Sequence, residues 1–420
     1  MDYFEIIGQN HLQGELEING SKNAVLPLIA ASILNENSVQ KFTNIPLLSD
    51  TLTMLKLLEE MGSSVKKSDN SISIDNSTLK NPFAPYDLVK TMRASFYVLG
   101  PLIAKFGKAR ISDPGGCSWG PRPIDFHIKG LELLGVDFTR DHGYLSACTK
   151  GLKGSNISFP KISVGATGNV VMAAVLAKGK TKIFNASSEP EIQQLCNYLN
   201  IMGAQISGIG SNELVIEGVS SLTTNKPIEV IPDRIEAGTF LIAAAAVGGE
   251  VQLSNVVVDH LSMVIQKLRE TNVLIETNSS SIRIKSNPST LKAVDLETSE
   301  YPGFPTDLQA QWMSLMSVVN GDSKLKENIY FDRFTHVPEL NRLGCNISLN
   351  KNTAKIKGQS YLSGAQIMST DIRASASLII AALCAEGLTR IDRIYHIDRG
   401  YYKIEDKLSK IGANIVRKKT

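Results

Sequence analysis

Cys117 lies in the most chemically suggestive stretch of the chain, Asp113-Pro114-Gly115-Gly116-Cys117-Ser118-Trp119-Gly120-Pro121-Arg122-Pro123-Ile124-Asp125. Three glycines and three prolines in so short a span rule out a helix interior or a central strand, so the stretch reads as a surface loop. A plain connector has no need to display a thiol, a tryptophan and an arginine. Beyond it, Ile124, Ile128, Leu131 and Leu134 recur at helical spacing, with Pro123 and Asp125 as the helix start. Arg122 then stands near a helix N-terminus, where free N–H groups already favour an anion, and a thiol in that positive field ionises more easily. The plainer reading is a Gly/Pro turn that happens to hold a buried cysteine.

Other charged residues stand where apolar segments begin. Lys22 and Asn23 follow Gly20-Ser21, Arg93 opens a second segment, and Arg373 follows Asp371 at another. A lysine at such a place is costly to bury unless it meets an anion. Lys161-Ile162-Ser163-Val164-Gly165 enters a small-residue helix much as a phosphate-binding turn does, without being a Walker sequence. Asp307, behind Pro302 and Pro305, is either an ordinary helix cap or a rigidly held general base. Arg333 and Arg399 add charge to the second half, and Arg399 has Asp398 beside it as a solvated partner. Together these cations suit a small substrate bearing phosphate and carboxylate, both of which guanidinium binds in bidentate fashion.

The elements that must hold these groups recur six times. Small-residue apolar segments begin at Lys22, Arg93, Gly165, Glu236, Asp307 and Arg373, a period of about 70 residues, longer than in solenoids. Each is followed by a Gly or Asn and a β-like run, as in Gly179 to Phe184, Gly249 to Leu253 and Gly387 to Ile391. A second helix with a Gly-containing stop follows, as at Met61-Gly62 and Met202-Gly203. Helices apolar all round belong inside a domain. Three per half predict two similar α/β globules with helices inside and sheets outside, and active residues drawn from both halves place the site in a cleft.

Composition excludes several classes. The chain has 420 residues, which favours two domains, and its net charge of +3 does not suggest a nucleic-acid binder. The N-terminal Met1-Asp2-Tyr3-Phe4-Glu5 lacks signal-peptide character, and the longest apolar run, Ala24 to Leu34, is short for a bilayer and interrupted by Pro27. Five scattered cysteines and six dispersed histidines make no metal-ligand or redox pair, so no metal is expected and a reducing cytoplasm is favoured.

Lys22-Asn23, Gly115-Gly116-Cys117, Arg122-Pro123-Ile124-Asp125, Phe304-Pro305-Thr306-Asp307, Arg373-Ala374-Ser375-Ala376-Ser377 and His396-Ile397-Asp398-Arg399-Gly400 occur in one order along the chain. In that order they resemble the bacterial UDP-N-acetylglucosamine 1-carboxyvinyltransferases, enolpyruvyl transferases that begin peptidoglycan precursor synthesis and so serve cell-wall biogenesis, cell shape and division. The resemblance runs from the first strand to the last few residues. It implies an inside-out α/β barrel of two domains, each of three βαβαββ-type units, with residues 21–230 forming one and residues 1–20 with 231–420 the other. It implies phosphoenolpyruvate and UDP-N-acetylglucosamine as substrates, no cofactor, and reaction through a tetrahedral phospho-ketal. By position, Lys22, Asn23, Arg122 and Arg399 would hold phosphoenolpyruvate. Arg93, Arg122, Pro123, Ile124, Asp125, Phe126, Lys161, Ser163, Val164, Gly165, Asp307 and Ile329 would meet the nucleotide sugar, with Arg333, Asp371 and Arg373 also in the cleft. Asp307 matches the proposed base. Cys117 matches the loop cysteine, acting as acid or in product release, and the one that the epoxide fosfomycin alkylates. Two departures stand out: Ser118 to Pro121 is bulkier and stiffer than the usual loop, and Ser188 replaces a usual basic residue. The rival readings are a shikimate-pathway enolpyruvyl transferase and a non-catalytic UDP-sugar-binding paralogue.

Overall fold

The computed structural model describes residues 2–36, 38–113 and 124–419. Cys117, Arg122 and Pro123 lie outside the described residues. The rest forms two compact units, one drawn from residues 1–19 and 232–420, the other from residues 20–231. Each has its own apolar core.

Three buried helices fill each core. In the 20–231 unit they are Lys22–Ala31, Leu99–Phe106 and Val164–Ala174; in the other they are Arg234–Val247, Gln309–Val318 and Ile372–Cys384. Arg234–Val247 is buried along its entire length, which its run of Ala, Gly and Thr allows because small side chains let neighbouring backbones come close. Four of the six start with a side-chain cap. Ser21, Ser163, Asp233 and Asp371 each accept a hydrogen bond from a backbone N–H of the first turn, a contribution of about 1 kcal/mol apiece. The other two begin differently, with a 3-10 segment: Arg93–Val98 before one and Thr306–Leu308 before the other. Those two segments carry Arg93 and Asp307.

Each unit has three four-stranded sheets. Their strands alternate buried and exposed residues, as in Asp322–Lys326, so one face covers the helices and the other meets water. Helices inside and sheets outside make each unit an inside-out α/β barrel. The second helix of most repeats ends at a left-handed glycine, Gly62 at φ 108° for example, where a side chain would be strained; after Ser262–Glu270 the left-handed residue is Asn272 at φ 75°.

Two strand pairings explain why the chain changes unit twice. Leu12–Glu17 comes just before the helix Lys22–Ala31 yet pairs in parallel with Gly249–Ser254, the strand after Arg234–Val247. Ile228–Glu229 comes just before Arg234–Val247 yet pairs in parallel with Val39–Thr43, the strand after Lys22–Ala31. The last repeat lacks a closing strand of its own. Tyr3–Ile7 supplies it, lying antiparallel between Leu388–Asp392 and Asn414–Lys418. No described helix is long and apolar enough to cross a membrane.

Candidate active site

Asp307 sits in the 3-10 turn Thr306–Leu308, which runs directly into the buried helix Gln309–Val318. Below the turn, Leu308 is fully buried and the Phe304 ring meets Trp312 edge-on at 5.5 Å. The turn rests on Gly238, where an added Cβ would fall 2.3 Å from a Leu308 methyl. Gly238→Ala should therefore lift the turn, with a loss of about 1–3 kcal/mol from overpacking. A lowered melting temperature together with reduced turnover would check it.

Asp307 is the N-cap of neither segment, since Pro305 stands at the cap of the 3-10 turn and Leu308 at that of the helix; its carboxylate faces two guanidiniums. Its Oδ1 lies 2.7 Å from Arg333 Nη2 and its Oδ2 2.8 Å from Arg373 Nη2. Both guanidiniums are 7% exposed, and Asp307 keeps a quarter of its side chain open at 25%. Burial pushes the Asp307 carboxyl up, but the charges and hydrogen bonds of Arg373 and Arg333 outweigh it and hold the carboxyl well below its usual value. Burial works against the Arg373 charge, and Asp307 with Tyr401 more than restores it.

Neither arginine is free to swing. Arg373 Nη1 donates to the Tyr401 hydroxyl at 3.2 Å. That hydroxyl lies 2.8 Å from Thr239 Oγ1, whose own proton goes to the Ile235 carbonyl. Gln311 Nε2 donates to Tyr401, to Thr239 and to the Asp307 carbonyl. On the other side, Arg333 Nη1 donates to Thr306 Oγ1 at 2.9 Å. Asp371 caps the Ile372–Cys384 helix, with Oδ1 accepting from the Arg373 and Ala374 N–H groups and Oδ2 from the Thr335 hydroxyl at 3.2 Å. His336 lies buried near both groups: burial lowers its pKa to about 4, with Asp371 opposing and Arg333 assisting, so it is neutral at pH 7. Arg399 ends the 3-10 segment Ile394–Arg399. Asp398 is not its partner; it pairs with Arg417 at 2.6 and 3.0 Å.

In the 20–231 unit, Lys22 is the first residue of its helix. The anion demanded by its burial is Asp50, 2.7 Å from Nζ, with the two side chains 9% and 5% exposed. Asn23 follows, half-buried. Arg93 opens a 3-10 segment that leads into the Leu99–Phe106 helix. Asp125 begins the helix Asp125–Leu133, with Ile124 at its cap and the Phe126 ring 6.3 Å from Phe159. Ser163 caps the Val164–Ala174 helix, so Val164 and Gly165 form its first turn, with Lys161 exposed just before.

Sequence reasoning did not single out His127, which joins the last two segments. Asn169 fixes its own amide by accepting from the Gly100 N–H and donating to the Phe96 carbonyl. Its Nδ2 lies 3.0 Å from His127 Nδ1, which makes that nitrogen the acceptor and leaves the proton on Nε2. Burial, helped by Arg93, lowers the His127 pKa to about 3. A Cβ at residue 165 would stand 3.1 Å from Nε2, so a larger residue there would press on the ring. The signal was present as a His three residues into an amphipathic helix, but nothing local sets it apart from a surface histidine.

With the geometry in place, the relatives are informative. The UDP-N-acetylglucosamine 1-carboxyvinyltransferase of Myxococcus xanthus is 50% identical over the full length of both chains. The chain belongs to the UDP-N-acetylglucosamine 1-carboxyvinyltransferase family. The Chlorobium luteolum enzyme of that name is 48% identical, covering 100% of this chain and 99% of that one. The broader family profile, EPSP synthase (3-phosphoshikimate 1-carboxyvinyltransferase), matches residues 6–408. Among solved structures, the enolpyruvyl transferase NikO from Streptomyces tendae superposes with a TM-score of 0.91 at 22% identity, covering 100% of this chain and 99% of that one. An EPSP synthase from Acinetobacter baumannii gives 0.76 at 19%, covering both chains fully. At those identities the likeness is one of fold.

Proposed function

We infer that the protein transfers the enolpyruvyl group of phosphoenolpyruvate to the 3-hydroxyl of UDP-N-acetylglucosamine and releases phosphate, the first committed step of peptidoglycan precursor synthesis. The full-length identity of 50% to the Myxococcus xanthus enzyme carries the reading. The arginine-clamped Asp307 supplies a group suited to it.

In the addition step the sugar hydroxyl oxygen bonds to C2 of phosphoenolpyruvate, its proton leaves to a base, and the methylene C3 gains a proton. Elimination removes a proton from C3 again and expels phosphate. Asp307 takes the hydroxyl proton. Held well below the usual carboxylate range, it is a weak base and always ionised near neutrality, so it accepts the proton only as the C–O bond forms and the hydroxyl turns acidic. Arg333 and Arg373 orient it, and Asp371 fixes the start of the Arg373 helix. Lys22, Asn23, Arg122 and Arg399 bind phosphoenolpyruvate. Arg93, Arg122 to Phe126, Lys161, Ser163 to Gly165 and Ile329 bind the nucleotide sugar. Cys117 protonates C3 or assists release. Both substrates belong to the cytoplasm, and so does the enzyme.

The test is phosphate release by the purified chain. Release should require phosphoenolpyruvate and UDP-N-acetylglucosamine together, and shikimate 3-phosphate should not replace the sugar nucleotide. Turnover with shikimate 3-phosphate but not with UDP-N-acetylglucosamine overturns the reading.

A further inference from the structure

Glu327 is completely buried at the end of the strand Asp322–Lys326 and has no part in the chemistry so far. Its Oε1 accepts from the Thr298 hydroxyl at 2.9 Å and from the N–H groups of Ile329 at 2.8 Å and Tyr330 at 3.0 Å. Its Oε2 accepts from the Thr306 hydroxyl at 2.9 Å. Thr306 immediately precedes Asp307.

A hydroxyl has one proton and two lone pairs. Glu327 takes the Thr306 proton, which leaves a lone pair for Arg333 Nη1 at 2.9 Å. The other end of that guanidinium reaches Asp307 Oδ1 at 2.7 Å. Two fixed points, Thr306 and Asp307, set the plane of a rigid fork. The acceptor-only character of Glu327 is what keeps the order of donors consistent along the line Glu327, Thr306, Arg333, Asp307. Glutamine has the same shape but would aim an N–H at Thr306. Thr306 would then turn its proton toward Arg333, so that two donors face each other.

We propose that Glu327 is a positioning residue for the transfer reaction: through Thr306 it orients the Arg333 guanidinium, and through Arg333 the Asp307 carboxylate. Its other oxygen meanwhile folds the turn that carries Ile329. This rests on Asp307 being the group that meets the acceptor hydroxyl.

The experiment combines kinetics with a readout that needs no turnover. Glu327→Gln keeps an oxygen for Thr298, Ile329 and Tyr330 and changes only the Thr306 side. It should lower kcat about tenfold or more and leave KM for UDP-N-acetylglucosamine within about twofold. Thr306→Val should lose at least as much, and Thr306→Ser, which keeps the hydroxyl, should recover most of it. The double variant Glu327→Gln/Thr306→Val should be no slower than Thr306→Val alone, because without the hydroxyl the polarity at residue 327 no longer matters. A generally weakened fold would instead give additive losses and a raised KM. Separately, nitrogen-15 NMR of the arginine side chains, assigned with Arg333→Lys, should show distinct slowly rotating Nη signals for Arg333 that collapse in Glu327→Gln. Wild-type kcat in Glu327→Gln, additive losses in the double variant, or unchanged Nη signals each overturn the proposal. Should the wild type release no phosphate, the transferase reading falls, and the NMR result alone decides what Glu327 does.

Discussion

Asp307→Asn should cut turnover by roughly two to four orders of magnitude, the range for a lost general base. Asparagine keeps the shape and one acceptor oxygen but cannot take the hydroxyl proton, and its amide places a donor against one of the two guanidiniums. The melting temperature should fall as well, since Arg333 and Arg373 are each 7% exposed and lose their shared counter-ion. Breaking a buried pair costs about 3–5 kcal/mol, and the quarter exposure of Asp307 puts the loss at the lower end. The expectation from a helix cap, about 1 kcal/mol, is thus too small. The carboxyl is depressed in the folded chain, so its stabilising contribution is present above the unfolded aspartate value of about 3.9 and is lost as pH falls through the folded one. From about pH 5 upward the titration of Asp307 should leave no mark on stability or rate. A folded Asp307→Asn protein with near-normal kcat removes the residue from the mechanism.

Fosfomycin should inactivate the wild type through one covalent adduct on Cys117, and Cys117→Asp should abolish that inactivation while retaining turnover. The step is opening of the epoxide by a thiolate: the S–C bond forms, the C–O bond breaks, and the oxygen takes up a proton. The competing thiols are poor nucleophiles. Burial pushes Cys196 and Cys384 up to about 12 and Cys345 up to about 11, which leaves a thiolate fraction on the order of one in ten thousand or less at pH 7. Cys148 is exposed on the strand Tyr144–Cys148 and is the fair internal control. A carboxylic acid at residue 117 can still hand over a proton, so the turnover of Cys117→Asp separates proton transfer from alkylation. Peptide mapping that places the adduct on Cys148, or covalent inhibition that persists in Cys117→Asp, refutes the assignment.

The sequence alone was enough for the six buried helical segments, for left-handed glycines such as Gly62 and Gly179, and for the strands after them. Those features depend on periodicity, capping residues and left-handed glycines, all of which act within a few residues of chain. Ser21 and Ser163 cap helices where their residue types say they should. The same locality explains the misses. A proline-framed aspartate reads equally as a cap or a base, and an arginine beside Asp398 reads as its partner until Arg417 takes that place.

What the tertiary structure decided is which charges face one another. Asp307 meets Arg333 across 26 residues of chain and Arg373 across 66, Lys22 finds Asp50 in the next helix, and the Tyr3–Ile7 strand closes the last repeat. His127 and Glu327 carry no local mark of their place: His127 meets Asn169 of the next repeat, and Glu327 meets Thr306 across 21 residues of chain. Burial then converts those contacts into chemistry: the same carboxylate that would be an ordinary aspartate in water is held ionised between two guanidiniums, since removing water strengthens every charge interaction that remains.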